Sequence, residues 1–247
     1  MKSLIIVFLT NFSLIGLAQG QSIDLKGAWE TGVLENQTVL PYTTEITMIC
    51  SEKYFAVAIY DIKNKKFVGT HGGSYRVEGN EFIAVIEFHS MNPELVGKEL
   101  RNQIQLKKGT LTFHDKSENI EWKQIDNGKP GQLAGAWLIT GRVREGQMRK
   151  MTPGARRNMK ILSGTHFQWI AYNVETKEFS GTGGGTYTTE DGKYTENIEF
   201  FSRDNSRAGK SLIFDFSIED GNWRHKGFSS KGDAIDEVWT KREKIGL

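Results

Sequence analysis

Apolar and polar residues alternate along this chain in short runs broken by turn residues, and the runs are too short for helices of ordinary length. Tyr54 to Tyr60 is β-branched, aromatic or small throughout. Asp61 to Lys66 reads as a turn, and Phe67 opens the next run. Glu78-Gly79-Asn80 turns the chain into Phe82 to Phe88, while Lys107-Lys108-Gly109 and Glu219-Asp220-Gly221 have the composition of hairpin turns. Only Met91 to Leu100 reads as holding a single helical turn. The pattern predicts an all-β meander.

The runs repeat. Leu25-Lys26-Gly27-Ala28-Trp29 returns as Leu133-Ala134-Gly135-Ala136-Trp137. Phe67-Val68-Gly69-Thr70-His71-Gly72-Gly73-Ser74-Tyr75 returns as Phe179-Ser180-Gly181-Thr182-Gly183-Gly184-Gly185-Thr186-Tyr187. Between residues 53 and 90, 14 of 38 positions are identical to the residue 112 further on. Chance would give about two or three at ordinary residue usage, so the chain contains a duplication. Asp126-Asn127-Gly128-Lys129-Pro130-Gly131 is a turn-rich join. About eight strands fit each copy, and eight up-and-down strands close into a barrel that leaves no open edge.

Gly-x-Trp on the first strand, followed by a meander of this length, resembles the lipocalin and calycin families. The string from Phe179 to Tyr187 is similar to small exported lipocalin-like proteins of gram-negative bacteria. Some of those act in the degradation of anionic polysaccharides, among them ulvan oligosaccharide dehydratases, which remove water from a terminal uronic acid. The resemblance implies two tandem lipocalin-like up-and-down barrels. It implies a carbon–oxygen lyase acting on uronate-ended, anionic oligosaccharides, or a non-catalytic binder of an anionic or amphipathic small ligand.

The N-terminus adds an address. Lys2, an apolar run from Leu4 to Leu17, and Ala18-Gln19-Gly20 read as a signal peptide cut near residue 20. The run is short for a membrane span, which needs about 20 apolar residues. The expected organisation is therefore a signal peptide at 1–20, barrel one at 21–126, a linker at 127–131 and barrel two at 132–247. The protein is expected to be exported, periplasmic or secreted. Cys50 is the single cysteine, so no intrachain disulfide forms and the core alone must hold the fold.

Charge matters locally rather than globally. The formal net charge is +2, and export with near-neutral charge disfavours nucleic-acid binding. From Arg142 to Lys160, seven bases face one acid, Glu145, whereas the matching stretch Glu30 to Met48 has three acids and no base. The lipocalin resemblance implies that this segment lies over the barrel mouth, and since Arg meets a carboxylate or sulfate through a planar fork, a basic segment there favours an anionic ligand. The alternative readings of the same segment are docking on the acidic stretch of copy one and, after that, an ordinary solvated loop. Arg144, Arg156, Arg157 and Lys160 are the candidate anion-binding residues.

His166-Phe167-Gln168-Trp169-Ile170-Ala171-Tyr172 also departs from its counterpart Tyr54 to Tyr60. Alternation puts His166, Gln168, Ile170 and Tyr172 on one face. That face is more polar than an apolar lumen needs, which makes His166 and Tyr172 the candidate acid–base pair for an elimination. Gln168, Trp169 and Tyr187 are candidate ligand contacts. Glu199, shared with Glu87, reads as a partner for an Arg or backbone group. The glycine clusters lack the Lys-Ser/Thr and helix of a phosphate loop and read as strand bends. The five histidines have no metal-ligand spacing, and no Gly-x-Ser-x-Gly occurs. No cofactor or metal is expected, and the oligomeric state is open.

Overall fold

The computed structural model describes residues 23–32, 43–114 and 119–247. The expected signal peptide and most of the connection that contains Glu35 lie outside the described residues. The chain forms two antiparallel barrels in tandem, and both fit a lipocalin-like fold.

Barrel one is a closed ring of β1 (Gly27–Thr31), β2 (Thr44–Cys50), β3 (Tyr54–Asp61), β4 (Lys66–Glu78), β5 (Glu81–His89), β6 (Glu99–Lys107), β7 (Thr110–His114) and β8 (Asn119–Asp126). Pairing of β1 with β8 closes it. Barrel two runs through β9 (Gly135–Arg144), β10 (Gln147–Lys150), β11 (Arg156–Leu162), β12 (His166–Asn173), β13 (Phe179–Glu190), β14 (Lys193–Phe201), β15 (Ser211–Glu219), β16 (Asn222–Phe228) and β17 (Ala234–Lys241). Here β9 pairs with β17, so eight strands close the ring. The extra strand β10 folds back on β9 beyond the end of β11, as an exposed basic hairpin. The helical turn anticipated in Met91 to Leu100 is a three-residue 3-10 turn, Pro93–Leu95. A four-residue helix, α1 (Arg242–Ile245), follows β17. No helix among the described residues is long and apolar enough to cross a membrane.

The strand period of two sets the cores. In barrel one, Met48, Phe55, Val57, Phe82, Ile86 and Trp122 point inward. In barrel two, Trp137, Phe167, Tyr194, Phe214, Trp223 and Trp239 do so. The two copies anchor their first strand identically. Trp29 Nε1 donates to the Leu25 carbonyl at 2.8 Å and Trp137 Nε1 to that of Leu133 at 2.8 Å. Both indoles are buried and have spent their only donor, so the Gly-x-Trp pattern is scaffold.

A third core lies between the barrels. Ile49, Tyr54, Ala56 and Phe88 on the outside of barrel one pack on Leu138, Met159, Ile161, Ile170 and Tyr172 on the outside of barrel two. Strands β3 and β12 are thus buried on both faces.

Candidate functional site

The lumen of barrel two holds a cavity of about 400 Å³. Its walls carry the aromatic rings of Trp169, Phe201, Phe214 and Trp239. Arg156, Arg203, Arg207 and Lys231 surround the opening, where Arg156, Arg203 and Lys231 are exposed, and Arg142 reaches inward to Glu237. Asp204 holds Arg207 at 3.1 Å, and its guanidinium lies 4.8 Å from the centre of the Phe201 ring. Arg203 donates to the Ser180 carbonyl at 2.6 and 2.8 Å, which fixes its position without neutralising it.

The bottom of the cavity is polar and buried. Lys160 Nζ donates to Glu196 Oε1 at 2.6 Å, and both side chains are about 6% exposed. The ammonium also sits 5.0 Å from the ring centres of Tyr194 and Trp223 and 5.5 Å from that of Trp239, a cation surrounded by π-faces. Glu237 accepts from Arg142 at 2.5 Å and from Trp239 Nε1 at 3.2 Å, with His225 Nδ1 3.6 Å away. Burial alone would push the Glu237 carboxyl up, but His225, Arg142 and Lys160 outweigh it and hold the group at about 2. Burial, then the nearby Lys160 charge, holds the His225 imidazole below its usual range. In all, six cations and three carboxylates line the cavity, a net of +3 with His225 neutral.

Barrel one differs. Its cavity of about 280 Å³ is lined by residues such as Met48, Phe55, Val57, Phe82 and Trp122, and among the described residues no charged one lines it. Among the described residues, the two copies therefore line their lumens differently, one with apolar and one with charged side chains.

Of the residues chosen from the sequence, Arg156, Lys160 and Trp169 line this cavity. Arg144 stands at the exposed end of β9, in the β9–β10 hairpin. Tyr187 is buried in the core, its hydroxyl donating to the Ser163 carbonyl at 2.7 Å. The face of β12 carrying His166, Gln168 and Tyr172 requires a correction. The alternation is as read, but that face looks toward barrel one and not into the lumen. Tyr172 Oη donates to Glu87 at 2.8 Å. Burial, reinforced by Glu87, raises its phenol well above the ordinary value despite Arg242 and Arg157, so those arginines do not make it a base. Gln168 Nε2 donates to Thr70 and Thr182 at 2.8 and 2.9 Å. His166 Nδ1 lies 2.8 Å from Thr165 Oγ1 and 3.7 Å from Asp126, in the seam between the barrels. His166 and Tyr172 thus engage different carboxylates. Arg157 also turns to the seam, donating to Glu87 at 2.8 Å. It docks on barrel one, as one reading of the basic segment allowed, but on a β5 carboxylate.

Residues 132–245 match a family model described as a domain of unknown function, DUF4488. The match covers barrel two with its cavity. No curated protein matches the chain. Within the DUF4488 region, sequence reasoning missed Glu196, His225 and Glu237 at the bottom of the cavity and Arg203, Arg207 and Lys231 at its opening. A signal for the first three was present. Tyr194-x-Glu196-x-Ile198, Trp223-x-His225 and Ile235-x-Glu237-x-Trp239 each place a polar residue in phase with inward-facing apolar ones. Among the described residues, no three His, Cys, Asp or Glu side chains gather in a metal-holding arrangement.

Proposed function

We propose that barrel two binds a small anionic ligand carrying a ring, in an exported protein, and that a uronate-ended oligosaccharide is the substrate class. The observation that carries this reading is the contrast between the lumens. Among the described residues, one fold, duplicated, lines the cavity of barrel one without charge and surrounds that of barrel two with arginines. Charged rims steer anions and raise their local concentration. Arg forks bind carboxylate or sulfate in two hydrogen bonds, and Trp169 and Phe201 offer flat faces to a sugar ring.

The enzymatic form of the reading is a lyase eliminating water or an alcohol from the uronate. Elimination needs a cation at the carboxylate, a proton acceptor, and a donor for the leaving oxygen. One observation favours it: buried His225 and Lys160 lie in the same cavity as Arg156 and Arg203. His166 and Tyr172 face away from that cavity and do not serve this form.

The test is a titration of Trp fluorescence with uronate-ended oligosaccharides and with their neutral counterparts, followed by absorbance in the ultraviolet band of a C4–C5 double bond. A saturable response to the acidic series alone is expected, weakening with salt. The double change Arg156→Ala with Arg203→Ala should weaken it at least about tenfold, the scale of losing charge-assisted hydrogen bonds. A growing absorbance establishes the lyase form, and binding without it establishes the carrier form. Equal responses to acidic and neutral sugars would sink the reading.

A further inference from the structure

At and behind the bottom of the barrel-two cavity, several buried polar atoms have no hydrogen-bond partner among the described residues. They are Trp223 Nε1, Tyr194 Oη and both ring nitrogens of His225, whose Nδ1 stands 3.6 Å from Glu237, beyond hydrogen-bond length. These three side chains are 0%, 0% and 2% exposed. They form one cluster, with ring centres 5.1 to 5.7 Å apart, and His225 itself lines the cavity. Buried polar groups are satisfied in the great majority of folded proteins, so the unpartnered imidazole of His225, which lines the cavity, marks a place for a polar visitor.

The charges around them select that visitor. Lys160 is already paired with Glu196, and Arg142 with Glu237. Among the described residues no cation at this depth is free for an anion, and two carboxylates, Glu196 and Glu237, line the cavity here. An anionic group would meet repulsion there. A hydroxyl suits the site, since it donates to a carboxylate or a neutral imidazole nitrogen and accepts from an ammonium or an imidazole N–H. Burial keeps the imidazole in that neutral form, with one donor and one acceptor.

We infer that the bottom of this cavity, centred on His225, Lys160 and Glu196, is a hydroxyl-recognition site, so that the ligand is a polyhydroxylated acid held by its anion at the arginine rim and by its hydroxyls below. The inference rests on the anion reading and deepens it. It explains why the lumen joins an ionic rim, aromatic walls and a polar, net-neutral depth, whereas an alkyl or aryl carboxylate would leave the depth unpaired. A site built to hydrogen-bond a hydroxyl rejects the analogue that lacks it more strongly than an apolar pocket rejects an extra group.

The experiment compares two acids of equal ring size on the full chain by calorimetric titration: sodium glucuronate and sodium cyclohexanecarboxylate. Wild-type protein should bind glucuronate at least about tenfold more tightly. His225→Phe keeps a ring against Phe214 and should bring the two affinities within about twofold, mainly by weakening glucuronate. Glu196→Gln, close to isosteric, should reduce the preference in the same direction if the His225 variant does not fold. Arg156→Ala should weaken both acids alike. Equal affinities in the wild type, or tighter binding of cyclohexanecarboxylate, would overturn the hydroxyl site and leave the anion reading standing. No saturable binding of either acid would overturn both.

Discussion

Asp126, the last residue of barrel one, fastens the chain to barrel two. Its carboxylate accepts from the Gly128 and Gly164 amides at 2.8 and 2.9 Å and from the Thr165 amide at 3.1 Å. It also accepts from the Ser163 and Thr165 hydroxyls at 2.8 and 2.6 Å. Every partner is a donor, which suits a charged carboxylate and no neutral group. Burial raises the pKa of Asp126, but His166, Thr165 and the backbone amides outweigh it and the group ends below its ordinary value. The native state then binds fewer protons than the unfolded chain. The stabilisation is present above the ordinary range near 4 and is lost as pH falls through the lower native pKa. Glu199 acts in the opposite sense. Burial raises it beyond what its bond from Tyr60 offsets, so its contribution is full at low pH and fades as pH rises through the native pKa. Asp126→Asn places an amide among donors and should cost about 2–3 kcal/mol near neutral pH, read from urea unfolding. The gap to wild type should narrow on acidification below about pH 4, because the unfolded wild type takes up a proton there that its native state does not, while the variant has none to take up. A gap that stays constant with pH would show that Asp126 acts through shape alone.

At the scale of elements, the glycines explain how β13 bends round the barrel. An added Cβ on Gly184 would lie 2.6 Å from the Phe167 carbonyl oxygen, and on Gly185 2.1 Å from that of Asn197. Gly185 also has φ near +150°, and the register against β14 shifts between these two residues. In β4 the register shifts between Gly72 and Gly73. Gly185→Ala should therefore cost about 2 kcal/mol or more through strain, lowering Tm by about 4–8 °C. Gly192 has φ of +72° but open space around it, so its Ala variant should lose only about 1 kcal/mol. Equal losses at both positions would remove close approach as the reason for the glycine run. The glycine run, the repeated Trp and the turn signals were all legible in the sequence, because strand geometry depends on neighbours a few residues away. The orientation of β12 was not. Alternation separates His166, Gln168 and Tyr172 from Phe167, Trp169 and Ala171, but in a strand covered on both faces it does not tell which set is inside. The more polar set belongs to the seam, where Gln168 and Tyr172 meet partners in barrel one, about 85–100 residues away in the chain.

At the scale of the molecule, the seam repeats itself as the sequence does. Tyr172 donates to Glu87 at 2.8 Å, and the equivalent Tyr60 donates to Glu199 at 2.9 Å. Phe88 packs on Tyr172 with ring centres 5.0 Å apart, and Phe200 on Tyr60 at 4.7 Å. Phe67 stacks on its own counterpart Phe179. This is the self-complementary contact of a twofold dimer, made within one chain. One half of it carries more charge. Glu87 also receives Arg157 at 2.8 Å and Arg242 of α1 at 2.7 Å, with Arg242 itself fully buried. Such a seam should make the two barrels unfold together, as one calorimetric transition with van't Hoff and measured enthalpies in agreement. Glu87→Ala leaves two buried guanidiniums without their carboxylate, a loss of about 3–5 kcal/mol that falls on the seam and not on either lumen. The single transition should then split into two, while the acidic-sugar binding proposed for barrel two should persist below the first of them. If the variant still melts in one transition near the wild-type temperature, the barrels are coupled by the apolar contacts of Ile49, Phe88, Met159 and Ile170. The charged cluster around Glu87 would then serve only to satisfy itself.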